Sequence, residues 1–178
     1  MIIKDAETIL PLSPLQEALL AREVERSERG ATSEQWRCRL SGPLNVSLFE
    51  KAWQYVVSRH QLLRAFFVWK DLAKPVQVVH KQLTVSLLHN DWRRMSAATQ
   101  AEELSNFIQT ERDRPIDISK APLLRLSLCQ FADDEYQFVW SYHPLILDDL
   151  SAQLVLQEVF AFYADQHGHT ATPAPGYR

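Results

Sequence analysis

The residues best suited to chemistry lie in one run, Trp140-Ser141-Tyr142-His143-Pro144-Leu145-Ile146-Leu147-Asp148-Asp149-Leu150-Ser151. It combines one imidazole, two adjacent carboxylates and the hydroxyls of Ser141, Tyr142 and Ser151 with an apolar approach. The pattern reads as a strand running into a short turn and then directly into a helix. Such junctions present polar groups at the edge of a sheet. Imidazole and carboxylate side chains are the usual general acids and bases. A purely structural reading is also open, because Asp148, Asp149 and Ser151 suit a helix N-terminus, where carboxylates meet the positive end of the dipole. The other histidines, His60, His80, His89, His167 and His169, have no metal-ligand spacing, and His167-Gly168-His169 reads as solvated tail. No metal is expected. Cys38 and Cys129 have no neighbouring histidine arrangement that would make a nucleophile. They read as strand thiols of a reducing cytoplasm rather than as a disulfide framework or zinc site.

Several elements must position this run. Ser13 and Pro14 open a helix, with Ser13 as N-cap, Pro14 at the first helical position and Gln16 close behind, and the helix ends near Arg26. Residues 27–33 form a polar loop. Residues 35–41 alternate, with Trp36, Cys38 and Leu40 on one face and Arg37 and Arg39 on the other, as in a half-buried strand. Gly42-Pro43 is a turn. Ser47 and Glu50 have capping-box spacing, ahead of a helix that buries Phe49, Ala52, Trp53, Val56 and Val57 and stops near His60. Strands are expected over 63–69, 75–80 and 83–89. A helix follows from Ala97 to about Arg112, ended by Pro115. Leu123–Phe131 and Glu135–Tyr142 form a hairpin around Ala132-Asp133-Asp134, and a closing helix covers Leu150–Tyr163. The pattern gives an α/β sandwich, a mixed sheet covered by helices. The domain covers residues 1–165. Residues 166–178, with Gly168, Pro173, Pro175 and Gly176, read as linker.

Composition excludes several classes. The chain has 178 residues, 46% of them hydrophobic and 23% charged, which fits one globular domain with one core. A net charge of −3 and no basic patch argue against nucleic acid. There is no apolar run long enough for a membrane span and no leader pattern at the N-terminus, so a soluble, cytoplasmic protein is expected.

Five segments together resemble the condensation domains of nonribosomal peptide synthetases. Leu12-Ser13-Pro14-Leu15-Gln16-Glu17 is similar to that family's opening motif. Arg59-His60-Gln61-Leu62-Leu63-Arg64-Ala65-Phe66 is similar to its Arg-His-x-x-Leu-Arg-x-x-Phe motif. Arg112–Ser119 with Pro122-Leu123-Leu124-Arg125 resembles the segment before its central hairpin. His143–Asp149 falls in register with His-His-x-x-x-Asp-Gly, and Pro173–Arg178 resembles its interlobe linker. The resemblance spans the whole chain in the family's order.

The resemblance implies a single chloramphenicol-acetyltransferase-like α/β lobe, the first of two, with a mostly antiparallel or mixed sheet covered by helices. It implies amide-forming acyl transfer between carrier-protein thioesters in a tunnel between the lobes. The phosphopantetheine arm would belong to the carrier, so this chain needs no cofactor. The motif is not intact. Pro144 stands where the family has the histidine credited with assisting the acceptor amine, and proline has neither a titratable group nor a backbone N–H. His143 aligns with the first, structural histidine, and Asp149 replaces the motif glycine. Asp148 aligns with an aspartate paired to an arginine, which here would be Arg64 or Arg59. No catalytic residue is therefore intact.

Three functions follow: a non-catalytic lobe binding a carrier protein or neighbouring subunit, a split lobe active only with its second lobe, and a free-standing acetyltransferase. The last needs a His-x-x-x-Asp spacing that is missing around residue 144. Leu145, Ile146 and Leu147 are expected to leave an apolar wall around Tyr142–Leu150, covered by a partner or by a second copy in a homodimer.

Overall fold

The computed structural model describes residues 5–26 and 33–166. The polar loop expected over 27–33 lies outside the described residues except for Ser33. The same holds for the tail beyond Gln166, including His167 and His169.

In chain order the elements are β1 (Ala6–Pro11), α1 (Pro14–Arg26), β2 (Glu34–Ser41), α2 (Val46–Arg59), a 3₁₀ turn (Gln61–Arg64), β3 (Ala65–Val68), β4 (Val76–His80), β5 (Leu87–Asp91), α3 (Ala97–Asp113), β6 (Leu124–Ala132), β7 (Glu135–Tyr142) and α4 (Asp149–Gln166). The strands form two sheets, ordered β1-β4-β3 and β2-β7-β6-β5. All pairings are antiparallel except β5 with β6, which α3 connects as a crossover.

The larger sheet is the middle layer. On one side lie α2 and α4. Phe49 meets Phe138 edge-on at 5.1 Å, and Trp53 meets Trp140 at 4.8 Å, each such pair adding about 0.5–1.5 kcal/mol beyond area burial. Phe49, Ala52, Trp53, Val56 and Val57 are fully buried, as the helical spacing predicts. On the other side lies α3. Its Glu111 carboxylate accepts from Arg125 Nε at 2.7 Å in a largely buried ion pair, and its Ile108 carbonyl accepts from Gln35. The hairpin between β6 and β7 turns through Asp133-Asp134, since Ala132 pairs with Glu135. Gly42 adopts φ +104°, a left-handed conformation that glycine takes without strain.

Several expected boundaries shift for identifiable reasons. The N-cap of α2 is Asn45, whose side chain accepts from the Leu48 N–H, and Ser47 lies inside the helix. Glu50 is no capping partner, because its carboxylate accepts the Leu87 N–H instead. The strand expected over 83–89 starts only at Leu87, because Gln54 of α2 satisfies the Leu83 carbonyl and the Val85 N–H. Leu63 and Arg64 belong to the 3₁₀ turn that carries the chain from α2 into β3. Strand β1 lies where the sequence pattern marks no element. Helix α4 begins at Asp149 and runs three residues past the expected end at Tyr163, so Gln166 is helical rather than linker, and Leu150 is 63% exposed at its first turn.

Candidate functional site

Strand β7 delivers Tyr142 and His143 to a tight turn. The Ile146 N–H donates to the His143 carbonyl at 3.1 Å, which makes His143–Ile146 a four-residue turn with Pro144 at its second position. Proline's fixed φ suits that position. The His143 N–H donates to the Leu123 carbonyl, fixing the turn to the start of β6.

His143 is buried, 2% exposed, and its ring serves the turn. Nδ1 accepts the Leu145 N–H at 3.1 Å, so the proton of the neutral ring is assigned to Nε2. Nε2 has no hydrogen-bond partner. The Glu23 carboxylate of α1 lies 3.7 Å from it, close enough to act as a charge but too far to accept. Burial lowers the His143 pKa below its ordinary value, and Glu23 offsets only part of that. His143 is thus a neutral structural ring facing inward.

Helix α1 braces the loop at a second point. Ser13 and Gln16 form the reciprocal cap of α1: the Gln16 N–H donates to Ser13 Oγ, and Gln16 Oε1 accepts the Ser13 N–H. Gln16 Nε2 then donates to the Leu145 carbonyl at 3.2 Å and to Gln77 Oε1 at 3.3 Å. Gln16 and Glu23 lie two helical turns apart and so share a face of α1. Sequence reasoning places Gln16 only near a helix start and passes over Glu23. The available signal is the opening motif itself, whose glutamine ties three elements together.

Asp148 is exposed and caps α4. Its Oδ1 accepts the Ser151 N–H at 2.7 Å, and that bond holds its carboxyl below the usual range. The expected pair with Arg64 or Arg59 is not formed. Arg64 is buried against Glu7 and the His80 and Lys81 carbonyls. Arg59 pairs with Glu158 at 3.1 Å, and His60 joins the same carboxylate. A cap three residues away is met locally, whereas both arginines have nearer acceptors. Asp149 opens α4, and its carboxylate receives the Tyr142 hydroxyl at 3.4 Å. Burial, helped by Asp149, pushes the Tyr142 phenol up to about 12.

The expected apolar wall is absent. Leu145, Ile146 and Leu147 are 2%, 2% and 8% exposed, because they pack into this chain's own core. Asp148, Asp149 and Leu150 are exposed there and Pro144 is half-buried, so the loop offers no apolar wall as ground for a homodimer. Burial raises both thiols, Cys129 to about 11, which leaves neither a thiolate nucleophile at neutral pH. Among the described residues no group of three His, Cys, Asp or Glu side chains could hold a metal, and no helix is long and apolar enough to cross a membrane.

A two-sheet α/β lobe with a histidine turn feeding a helix is the chloramphenicol-acetyltransferase-like fold of condensation domains. The first condensation domain of the calcium-dependent antibiotic synthetase superposes with a TM-score of 0.82 at 15% identity, over 96% of this chain and 43% of that one. The starter condensation domain of the rhizomide synthetase gives 0.79 at 20% identity, over 96% and 43%. At these identities the likeness concerns the fold. The sequence matches the family described as condensation domain over residues 6–177, and the chain belongs to that family. One of the linear gramicidin synthase subunits of Brevibacillus parabrevis is 42% identical over 161 residues, covering 90% of this chain and 3% of that protein. Another subunit of the same synthase is 38% identical over 167 residues, covering 93% and 3%.

Proposed function

We propose that this chain is a non-condensing lobe of a nonribosomal peptide assembly line, acting as an interaction module for a carrier protein or neighbouring subunit. The observation that carries the reading is the His143–Asp149 turn. Pro144 occupies the position of the family's assisting histidine and can neither accept nor donate a proton. His143 cannot take over, because one ring nitrogen holds the Leu145 N–H and the other faces the interior toward Glu23. Both departures from the motif favour stability instead. Pro144 suits its turn position, and Asp149 is an acidic residue in the first turn of α4, where the helix dipole favours it. Any phosphopantetheine arm would be carried by the partner. The protein would work in the cytoplasm.

The alternative, a split lobe that condenses when a second lobe is supplied, is supported by a motif loop that is fully braced by Gln16, Leu123 and the His143 ring. The test titrates the protein with a phosphopantetheine-loaded carrier protein and follows amide formation in the same samples. Saturable binding without product is expected. Absence of binding to carrier or to neighbouring synthetase segments would overturn the module reading, and product would overturn the non-condensing one.

A further inference from the structure

Strand β2 is an edge built for pairing. It has eight residues, and among the described strands it neighbours only β7. All eight residues pair with β7 in unbroken register, without a bulge or a proline. Among the described residues no backbone group bonds to its outer side, and of the devices that ordinarily blunt such an edge it carries only charged side chains, Arg37 and Arg39 among them. β1, by contrast, ends in a proline and carries a register shift.

The two faces of this edge differ sharply. On one face Trp36 opens onto a groove of about 620 Å³, completed by Gln153, Leu156, Gln157, Phe160 and Ala161 of α4. On the other face Arg37 and Arg39 are exposed, and among the described residues neither has an ion-pair partner. Their neighbours across the β7 ladder are Val139 and Gln137, which neutralise nothing.

From the free edge, the groove and the arginine pair we infer that β2 docks an extended segment of a neighbouring synthetase polypeptide, one that alternates acidic and large apolar side chains. The segment adds as a strand to the β2 edge. Its apolar side chains fall on the Trp36 side and fill the groove. Its carboxylates fall opposite Arg37 and Arg39, where opposite charges stabilise a cross-strand pair and like charges destabilise it. A second copy of this chain fits poorly. Antiparallel self-pairing that keeps each face on its own side allows two near-complete registers over Glu34–Ser41. One sets Arg37 against Arg37 of the other copy, and the other sets Arg37 against Arg39. The inference rests on the reading of the lobe as an interaction module and names its surface.

The test uses synthetic eight-residue peptides, one alternating Glu and Val and one alternating Lys and Val, titrated into the full chain. Calorimetry reads affinity, and amide hydrogen exchange reads protection over residues 34–41. The Glu-Val peptide is expected to bind saturably, to slow exchange in β2, and to bind at least about tenfold more tightly than the Lys-Val peptide. In an Arg37→Glu/Arg39→Glu variant the preference is expected to invert; both positions are exposed, and circular dichroism checks the fold. No protection of β2, equal affinity for the two peptides, or an unchanged preference in the variant would overturn the inference. So would a concentration-dependent dimer protected at β2, which would make a second copy the occupant. Carrier binding, measured separately, reports on the module reading at any other surface, so the two failures are distinguishable.

Discussion

Replacing Asp148 with alanine removes the side-chain acceptor of the Ser151 N–H, a 2.7 Å bond, and a carboxylate at the start of α4. Loss of such a cap costs about 0.5–2 kcal/mol, and the lost dipole interaction adds about 0.3–1 kcal/mol. A total of about 1–3 kcal/mol corresponds to a fall in melting temperature of roughly 2–12 °C for a chain of this size. A buried ion pair broken on one side would instead cost about 3–5 kcal/mol. Urea denaturation followed by tryptophan fluorescence therefore separates a cap from an ion pair. Asp148→Ser, which keeps an acceptor, is expected to recover most of the loss. Asp148→Ala combined with Arg64→Ala is expected to be additive within about 0.5 kcal/mol. The pH dependence has a definite sign. The folded pKa of Asp148 lies below its unfolded value of about 3.9, so the contribution is present above that value and is lost as pH falls through the folded pKa. A loss above about 3 kcal/mol, failure of serine to rescue, or clear coupling to Arg64 would refute the cap and restore the ion pair.

Pro144→His is expected to lower stability by about 0.4–1 kcal/mol, chiefly by loosening the unfolded chain at a position whose turn suits proline; an unchanged or raised denaturation midpoint would contradict this. His143 is held neutral with a lowered pKa, so stability is expected to fall as pH drops below about 6.5 toward the folded value. Two-dimensional NMR titration should show its ring titrating below that range, and a pKa at or above it would contradict the burial argument. Arg125→Ala leaves the Glu111 carboxylate with only its longer 3.4 Å contact to the exposed Arg114 and is expected to cost about 1.5–3 kcal/mol, read by chemical denaturation; a cost under about 1 kcal/mol would show the pair to be dispensable.

Features governed by nearest neighbours were legible in the sequence. The Ser13–Gln16 cap, the alternation of β2, the buried stripe of α2 and the β6–β7 hairpin each depend on residues a few positions apart. Features decided by competition across the fold were not. The backbone of residues 83–85 is satisfied by Gln54, so a run with strand composition stays irregular. Ser47 and Asn45 both offer a cap, and only the geometry selects Asn45. Strand β1, Ala6–Pro11, keeps Ile9, Leu10 and Pro11 exposed, so it lacks the alternation that marks a half-buried strand. At the site, motif register locates His143, Pro144, Asp148 and Asp149 together around one turn and the helix start behind it. It misassigns the partner of Asp148, because a cap three residues away satisfies a carboxylate that the register pairs with a distant arginine. The expected apolar wall also fails, because a turn rather than an extended segment directs Leu145, Ile146 and Leu147 all inward.

On the proposed reading, Pro144 leaves this lobe without a condensing group even in a complete domain. The decisive assay supplies the C-terminal part of a condensation domain from the linear gramicidin synthase subunit that shares 42% identity with this chain, together with a donor acyl carrier and an acceptor aminoacyl carrier. Amide product is then quantified by mass spectrometry for the native chain and for Pro144→His. The native chain is expected to give no product above the no-protein control, together with saturable carrier binding. Amide formation by the native Pro144 chain at a rate comparable to Pro144→His would refute the reading and establish the lobe as half of a working catalyst.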